Sequence, residues 1–181
     1  NGITYVVADT TILKTAIADG DDLTRYCTSR IGDMSRLFCC NQSFNQNISS
    51  WDVSNVTDMN SMFLFASAFN QDIGNWDVSN VTGMGSMFSG TYDFNQDIGN
   101  WDVSNVTGMG LMFHGTYDFN QDIGSWDVSN VTDMSEMFLV AYDFNQDLTK
   151  WCVSQFPTMP TDFSTSSALT ASNHPVWGTC P

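Results

Sequence analysis

Apolar positions recur along this chain with a fixed period. Trp51, Trp76, Trp101, Trp126 and Trp151 are each 25 residues apart. The segments FNQNISSWDVSNVTDMNSMF, FNQDIGNWDVSNVTGMGSMF, FNQDIGNWDVSNVTGMGLMF and FNQDIGSWDVSNVTDMSEMF run through the first four in one order of apolar and polar residues. A further copy, FNQDLTKWCVSQFPTMPTDF, decays, and a degenerate copy precedes them all, with Tyr26 in the tryptophan column. A constant period of this size marks a solenoid, in which each unit buries its apolar side only against its neighbours.

Within one copy, Ile73, Trp76 and Val78 follow apolar-x-x-apolar-x-apolar, a pattern that resembles the strand of a leucine-rich repeat. Strand alternation sends Trp76 and Val78 inward and Asp77 and Ser79 outward. Val81, Met84, Met87 and Phe88 then fall on one face of a short helix or 3₁₀ turn. Thr57 and Thr132 are placed as its N-caps, with Asp58 and Asp133 following near the positive helix end. Gly83 and Gly108 replace that aspartate in two copies, which predicts weaker helices there. The expected fold is a leucine-rich-repeat-like solenoid of about six coils, each with one short strand and one short helix or 3₁₀ turn, and a parallel sheet on one face. Residues 23–163 form it. Residues 1–22 form an N-terminal cap of a strand and a helix from Thr10 to Ala18, and residues 164–181 a C-terminal cap.

Other columns follow from the same register. The ten methionines fall in two of them, with Met84 and Met87 as one pair, and stacked beside Trp, Val and Phe they read as core, not as a soft-metal or heme box. Asn70, Asn95, Asn120 and Asn145 form a column able to bond backbone groups of adjacent coils. Asn55, Asn80, Asn105 and Asn130 form another, reading N-V-T at every copy. Ladder use and N-glycosylation are both open for these four, and Asn41 and Asn47 also stand in sequons.

Charge narrows the partners. Five Lys and Arg face 20 Asp and Glu, a net charge of -15, and no lysine or arginine lies between Leu37 and Thr149. Such a surface repels nucleic acid and anionic lipid, leaving a cationic partner, a divalent ion or a neutral glycan. No apolar run approaches the length of a membrane span. The chain opens at Asn1 without a signal-like segment and reads as a piece of a longer product.

The five cysteines lie near the two ends, outside the regular copies. Their placement in an acidic, lysine-poor chain predicts an oxidising compartment and stapled caps. The expected pairs are Cys152 with Cys180, and Cys27 with Cys39 or Cys40, one of these last two staying unpaired.

The core W-D-V-S-N-V-T-x-M-x-x-M-F, with F-N-Q-D-I ahead of it, resembles the 25-residue repeats of BspA-like surface proteins, known also from Mycoplasma lipoproteins. The likeness runs from about Phe44 to Phe163. It implies a leucine-rich-repeat-like solenoid at a cell surface, with adhesion or matrix binding, and it brings no catalytic residues.

Nothing in the residues points to an enzyme. His114 and His174 belong to no recognisable Ser/His/Asp pattern, and no phosphate-binding glycine motif occurs. The expected function is an extracellular recognition or adhesion module, binding protein or glycan without a cofactor. The alternative is a structural subunit of a sheath, filament or matrix, which binds copies of itself. A mineral- or ice-binding array fits less well, because the outward pair is Asp-x-Ser.

The outward column Asp52, Asp77, Asp102 and Asp127 is the sharpest candidate site. Stacked coils would hold these carboxylates about 5 Å apart, a repulsion of roughly 0.8 kcal/mol per neighbouring pair in water. Calcium binding, docking of a basic partner, or internal donation from Ser79-type hydroxyls would each account for it. Asp72, Asp97, Asp122 and Asp147 form a second column that caps the FNQ turn.

Overall fold

The computed structural model describes residues 4–181. Strand β1 (Val6–Val7) pairs in parallel with β2 (Tyr26–Cys27), in the register Val6 to Tyr26 and Val7 to Cys27. Helix α1 spans Thr10–Asp19, close to the expected bounds. The Asp9 carboxylate caps it by accepting the Ile12 N–H at 2.8 Å, and Gly20 ends it at φ 74°, where glycine carries no steric penalty. Its buried residues, Leu13 and Ala16, join the core of the first repeat. A 3₁₀ turn (Leu23–Arg25) leads into β2, and another (Ala171–Asn173) lies near the C-terminus. Residues 1–3 of the expected N-terminal cap lie outside the described residues.

The repeats lie directly on one another, in parallel. The bridges between them do not form at Trp-Asp-Val, as the strand reading expects. They form later in each repeat, as isolated parallel bridges from Asp33 to Asp58, Asp58 to Gly83, Gly83 to Gly108 and Gly108 to Asp133. Trp76 and Val78 still point inward, at 4% and 1% exposure, with Asp77 outside. Alternation holds there without a strand ladder.

The expected helix after each Thr is also absent. The N–H groups of Met59, Ser61, Phe63 and Phe65 donate to the carbonyls of Gly83, Gly85, Met87 and Ser89 in the next repeat, at 2.8–2.9 Å. The residues between close four-residue turns, with N–H groups bonded three residues back, as in Met62 to Met59 and Leu64 to Ser61. Apolar residues spaced by three and four suit such turns as well as they suit a helix. The neighbour's carbonyls then compete for donors that a helix would keep within itself. Thr57 and Thr132 are not helix caps: their hydroxyls donate to Gly32 and Thr107 of the preceding repeat. Gly83 and Gly85 serve packing, since a Cβ at either would press on the Asn60 side chain.

This backbone needs two left-handed residues per repeat, such as Ser61 (φ 57°) with Phe65 (φ 56°), and Glu136 (φ 56°) with Val140 (φ 61°). Gly90 and Gly115 occupy the second place in the middle repeats. A β-branched side chain there is strained. Val140→Gly should therefore stabilise the fold by about 0.5–1 kcal/mol after glycine's extra unfolded-state entropy is deducted. Urea midpoints of the two proteins check this.

Inside, phenylalanines form two continuous stacks. Phe38, Phe63, Phe88, Phe113 and Phe138 follow at centroid separations of 5.3–5.7 Å, and Phe44, Phe69, Phe94, Phe119 and Phe144 at 5.7–6.0 Å. The tryptophan indoles, buried beside them, donate to backbone carbonyls: Trp76 to Ile48, Trp101 to Ile73 and Trp126 to Ile98. Nine methionines share this core, and Met159 in the decayed repeat is half exposed. Buried Thr91 and Thr116 hydroxyls donate to Phe63 and Phe88 carbonyls at 2.7 Å. At the far end Phe163 turns edge-on to Phe138 and Trp177, which ends the stack.

The asparagine column acts as a backbone surrogate. Each Oδ1 accepts from the next repeat, as Asn70 does from the Asn95 N–H at 3.1 Å and the Gln96 amide at 2.7 Å. The disulfide joins Cys152 to Cys180, the C-terminal pair named above. Cys27, Cys39 and Cys40 are free, so the second bond read from the sequence is not formed. Cys27 Sγ lies 3.4 Å from Ser29 Oγ, and Cys39 Sγ lies 3.1 Å from Cys40 Sγ.

Candidate functional site

The aspartate ladder is held by its own repeat. Asp52 accepts the Ser54 N–H at 3.1 Å and its hydroxyl at 2.6 Å, and Asp77 with Ser79 and Asp102 with Ser104 do the same. Asp127 accepts the Ser129 N–H. These are local Asp-x-Ser turns, which give each carboxylate a structural task. The serine hydroxyl, then the backbone N–H, holds Asp52 and Asp102 below the usual carboxylate range. A lowered folded pKa contributes stability above the unfolded value, lost as pH falls through the folded one. Ser104→Ala should bring the Asp102 titration back toward that of a free aspartate, read by carboxyl-carbon NMR.

Asp72, Asp97, Asp122 and Asp147 accept N–H groups two residues on, from Gly74, Gly99, Gly124 and Thr149. They cap the turn before each tryptophan, not the FNQ turn itself. Among the described residues no three His, Cys, Asp or Glu side chains are grouped to hold a metal ion.

The sequon asparagines Asn55, Asn80, Asn105 and Asn130 are exposed, and each Nδ2 donates to a serine carbonyl of the preceding repeat at 2.7–2.9 Å. The atom a glycan would modify is thus the one that ties two repeats together. Asn47 Oδ1 accepts from the Ser49 N–H. Asn41 lines a cavity of about 390 Å³ between α1 and the first repeats, together with Ile17, Leu23, Phe44 and Gln46. His174, paired with Ser164 Oγ at 3.2 Å, is pushed down in pKa by burial.

A different edge carries the uncommitted groups. Tyr92, Tyr117 and Tyr142 stack along it at 4.6 and 4.9 Å, with Tyr92 41% and Tyr142 55% exposed. Burial, with help from its two neighbours, raises the Tyr117 phenol above its ordinary value. The residue after each tyrosine is Asp93, Asp118 or Asp143, all exposed. Their N–H groups donate to Ser67, Tyr92 and Tyr117 carbonyls, but their carboxylates accept no hydrogen bond from the described residues. They differ in this from the eight aspartates of the two other columns.

Beside the tyrosines lies a slot of about 210 Å³, lined by Phe65, Gly90, His114, Gly115 and Val140 as well as Tyr92 and Tyr117. The Phe65 ring fills the place a side chain would take at Gly90, whereas a Cβ at Gly115 would meet nothing closer than 3.9 Å. The slot exists because the chain omits the side chain at Gly115 while the Phe65 ring takes the place left at Gly90. His114 Nδ1 lies 3.3 Å from Ser89 Oγ at its wall. The sequence reading passed over this edge. Its signal was T-Y-D-F, T-Y-D-F and A-Y-D-F, with an aromatic residue outside the inward columns and Gly-Thr ahead of it twice.

No helix among the described residues is long and apolar enough to cross a membrane. Neither a curated protein nor a solved structure matches the chain. One family matches twice, over residues 9–103 and 73–177, in overlapping spans that follow the internal repeat. By this match the chain belongs to the family described as Mycoplasma protein of unknown function, DUF285.

Proposed function

We propose that this chain is a leucine-rich-repeat-like solenoid of the BspA type, and that it serves as a non-catalytic recognition or adhesion module at a cell surface or outside the cell. The observation that carries this reading is the Tyr–Asp edge. Elsewhere the polar columns are taken up by turns and by bonds between repeats, whereas here exposed aromatics and unbonded carboxylates run together across three repeats. Exposed tyrosines on a rigid support lose little entropy on binding, which suits recognition. The aspartate ladder is internally bonded, so no metal is needed, and melting in calcium or in chelator should give the same midpoint.

The test is saturable binding of the labelled chain to intact cells and extracellular matrix, beside a variant with Tyr92, Tyr117 and Tyr142 changed to serine. Serine stands at this place in Ser67, so the variant should fold. Binding by the parent and not by the variant supports the proposal. Absence of saturable binding, or equal binding by both, overturns it.

The second reading, a structural subunit, is favoured by one feature. The N–H groups of Asp162, Ser164 and Ser166 stand where earlier repeats donate to their successor, and they have no acceptor among the described residues. An open donor row of this kind can pair with another chain. Concentration-dependent sedimentation distinguishes it from a monomeric binder.

A further inference from the structure

We infer that the slot over Gly115 is a docking site for a basic protein segment, one that inserts a single apolar side chain flanked by lysine or arginine toward the exposed aspartates that follow the tyrosines in the chain. This rests on the recognition reading above and names the partner's chemistry. The slot has room for one side chain, at about 210 Å³, and its walls are the Phe65 ring, Val140, the Tyr92 and Tyr117 rings and His114. A pocket of this shape suits a central apolar anchor. At its floor Gly115 leaves the backbone open to close approach, whereas the Phe65 ring covers Gly90.

Charge decides the flanks of the occupant. Asp93, Asp118 and Asp143 repeat along the tyrosine stack with no hydrogen-bond donor of their own, and the chain places no lysine or arginine between Leu37 and Thr149. An acidic or uncharged partner would leave these three carboxylates uncompensated. A basic one compensates them and also places its cations beside tyrosine rings, where the ring quadrupole attracts them. A second copy of this chain fits less well. Its four N-terminal basic residues, Lys14, Arg25, Arg30 and Arg36, are interspersed with Asp9, Asp19, Asp21, Asp22 and Asp33, so that end is not net basic.

The probe is a displayed library of short random peptides, selected on the parent chain and counter-selected on Gly115→Val. That substitution puts into the slot the residue the next repeat already carries at Val140, in the same left-handed conformation. The enriched peptides should carry an aliphatic or aromatic residue with Lys or Arg on either side. A representative peptide should bind Gly115→Val about tenfold more weakly, as expected on losing a central anchor. It should also weaken several-fold on the triple change of Asp93, Asp118 and Asp143 to asparagine, and with added salt. A second variant, Tyr117→Ser, guards against misfolding of the first and should weaken binding too.

Enrichment of acidic or uncharged peptides overturns the inference, as does equal binding by parent and Gly115→Val, or no enrichment. Slot-dependent self-association in sedimentation overturns it in favour of a second copy. If cells bind the parent and not the tyrosine variant while no basic peptide is enriched, this inference fails and the recognition reading stands. If cells bind neither, that reading fails as well.

Discussion

Replacing Trp101 with alanine should lower the stability of the chain by about 3–5 kcal/mol, the range for a large aromatic removed from a packed core. Trp101 is 4% exposed, packs against Phe88 at 6.3 Å, and donates its indole N–H to the Ile73 carbonyl at 3.2 Å. It lies in a middle repeat, so the void faces neighbours on both sides and has no free end to collapse toward. Trp101→Phe separates the two contributions. It keeps most of the apolar volume and removes the indole bond, while the Ile73 carbonyl still accepts the Trp76 N–H, so its cost should be about 0.5–1.5 kcal/mol, that of one net hydrogen bond. Equilibrium urea unfolding of the three proteins measures both. Because repeats couple mainly to their neighbours, the alanine variant should also unfold in a broader, less cooperative transition. A sharp transition with an unchanged midpoint would show that the tryptophan column is not a principal source of stability.

Removing the Cys152–Cys180 bond, by reduction or by changing both residues to serine, should cost about 2–4 kcal/mol. The bond closes a segment of 28 residues that includes the whole end of the stack. Hydrogen bonds tie the same segment to the repeat before it: Glu136, Phe138 and Val140 N–H groups to the Thr161, Phe163 and Thr165 carbonyls, Leu148 N–H to Asn173, Val153 N–H to Thr179, and Asn145 to Thr170 and Asn173. Phe156 and Phe163 each meet Trp177 edge-on there, and Trp151, the last tryptophan of the 25-residue column, is fully buried. With the bond broken, residues from about Phe156 onward should lose amide-exchange protection first, because among the described residues they pack on a repeat from one side only. The free thiols Cys27, Cys39 and Cys40 give a control. Their conversion to serine should leave both the midpoint and the exchange pattern nearly unchanged.

The two candidate sites were not equally legible. The aspartate ladder drew attention because four carboxylates in one column are easily counted. The serine two residues on was visible as well, but which donor reaches which oxygen is a matter of angstroms. The Tyr–Asp edge gives a fainter signal: three tyrosines 25 residues apart follow apolar or small residues and precede Asp-Phe, which by itself reads as an ordinary turn. Only side-chain geometry shows that these carboxylates are unbonded and that the rings meet in a stack. The slot is harder still to foresee, since it is the space of one missing side chain, at Gly115.

The residue pattern on its own determined the repeat, its register and its inward columns. A period of 25 with Trp, Val, Met and Phe at constant places admits few ways of burying them other than stacking each copy on the next. It also determined the asparagine column and the differing ends, because both are breaks or constancies in a list of residues. Tertiary structure alone decided how the backbone is hydrogen-bonded. Val81, Met84, Met87 and Phe88 suit a helix, but the next repeat offers carbonyls at Gly108, Gly110, Met112 and His114, and the N–H groups of Met84, Ser86, Phe88 and Gly90 bond to those. The choice between bonding within a turn and bonding to a neighbour depends on where the neighbour lies, which no local pattern encodes. The same competition moved the parallel bridges from Trp-Asp-Val to Asp58, Gly83, Gly108 and Asp133, and left the Tyr–Asp edge as the face with groups to spare.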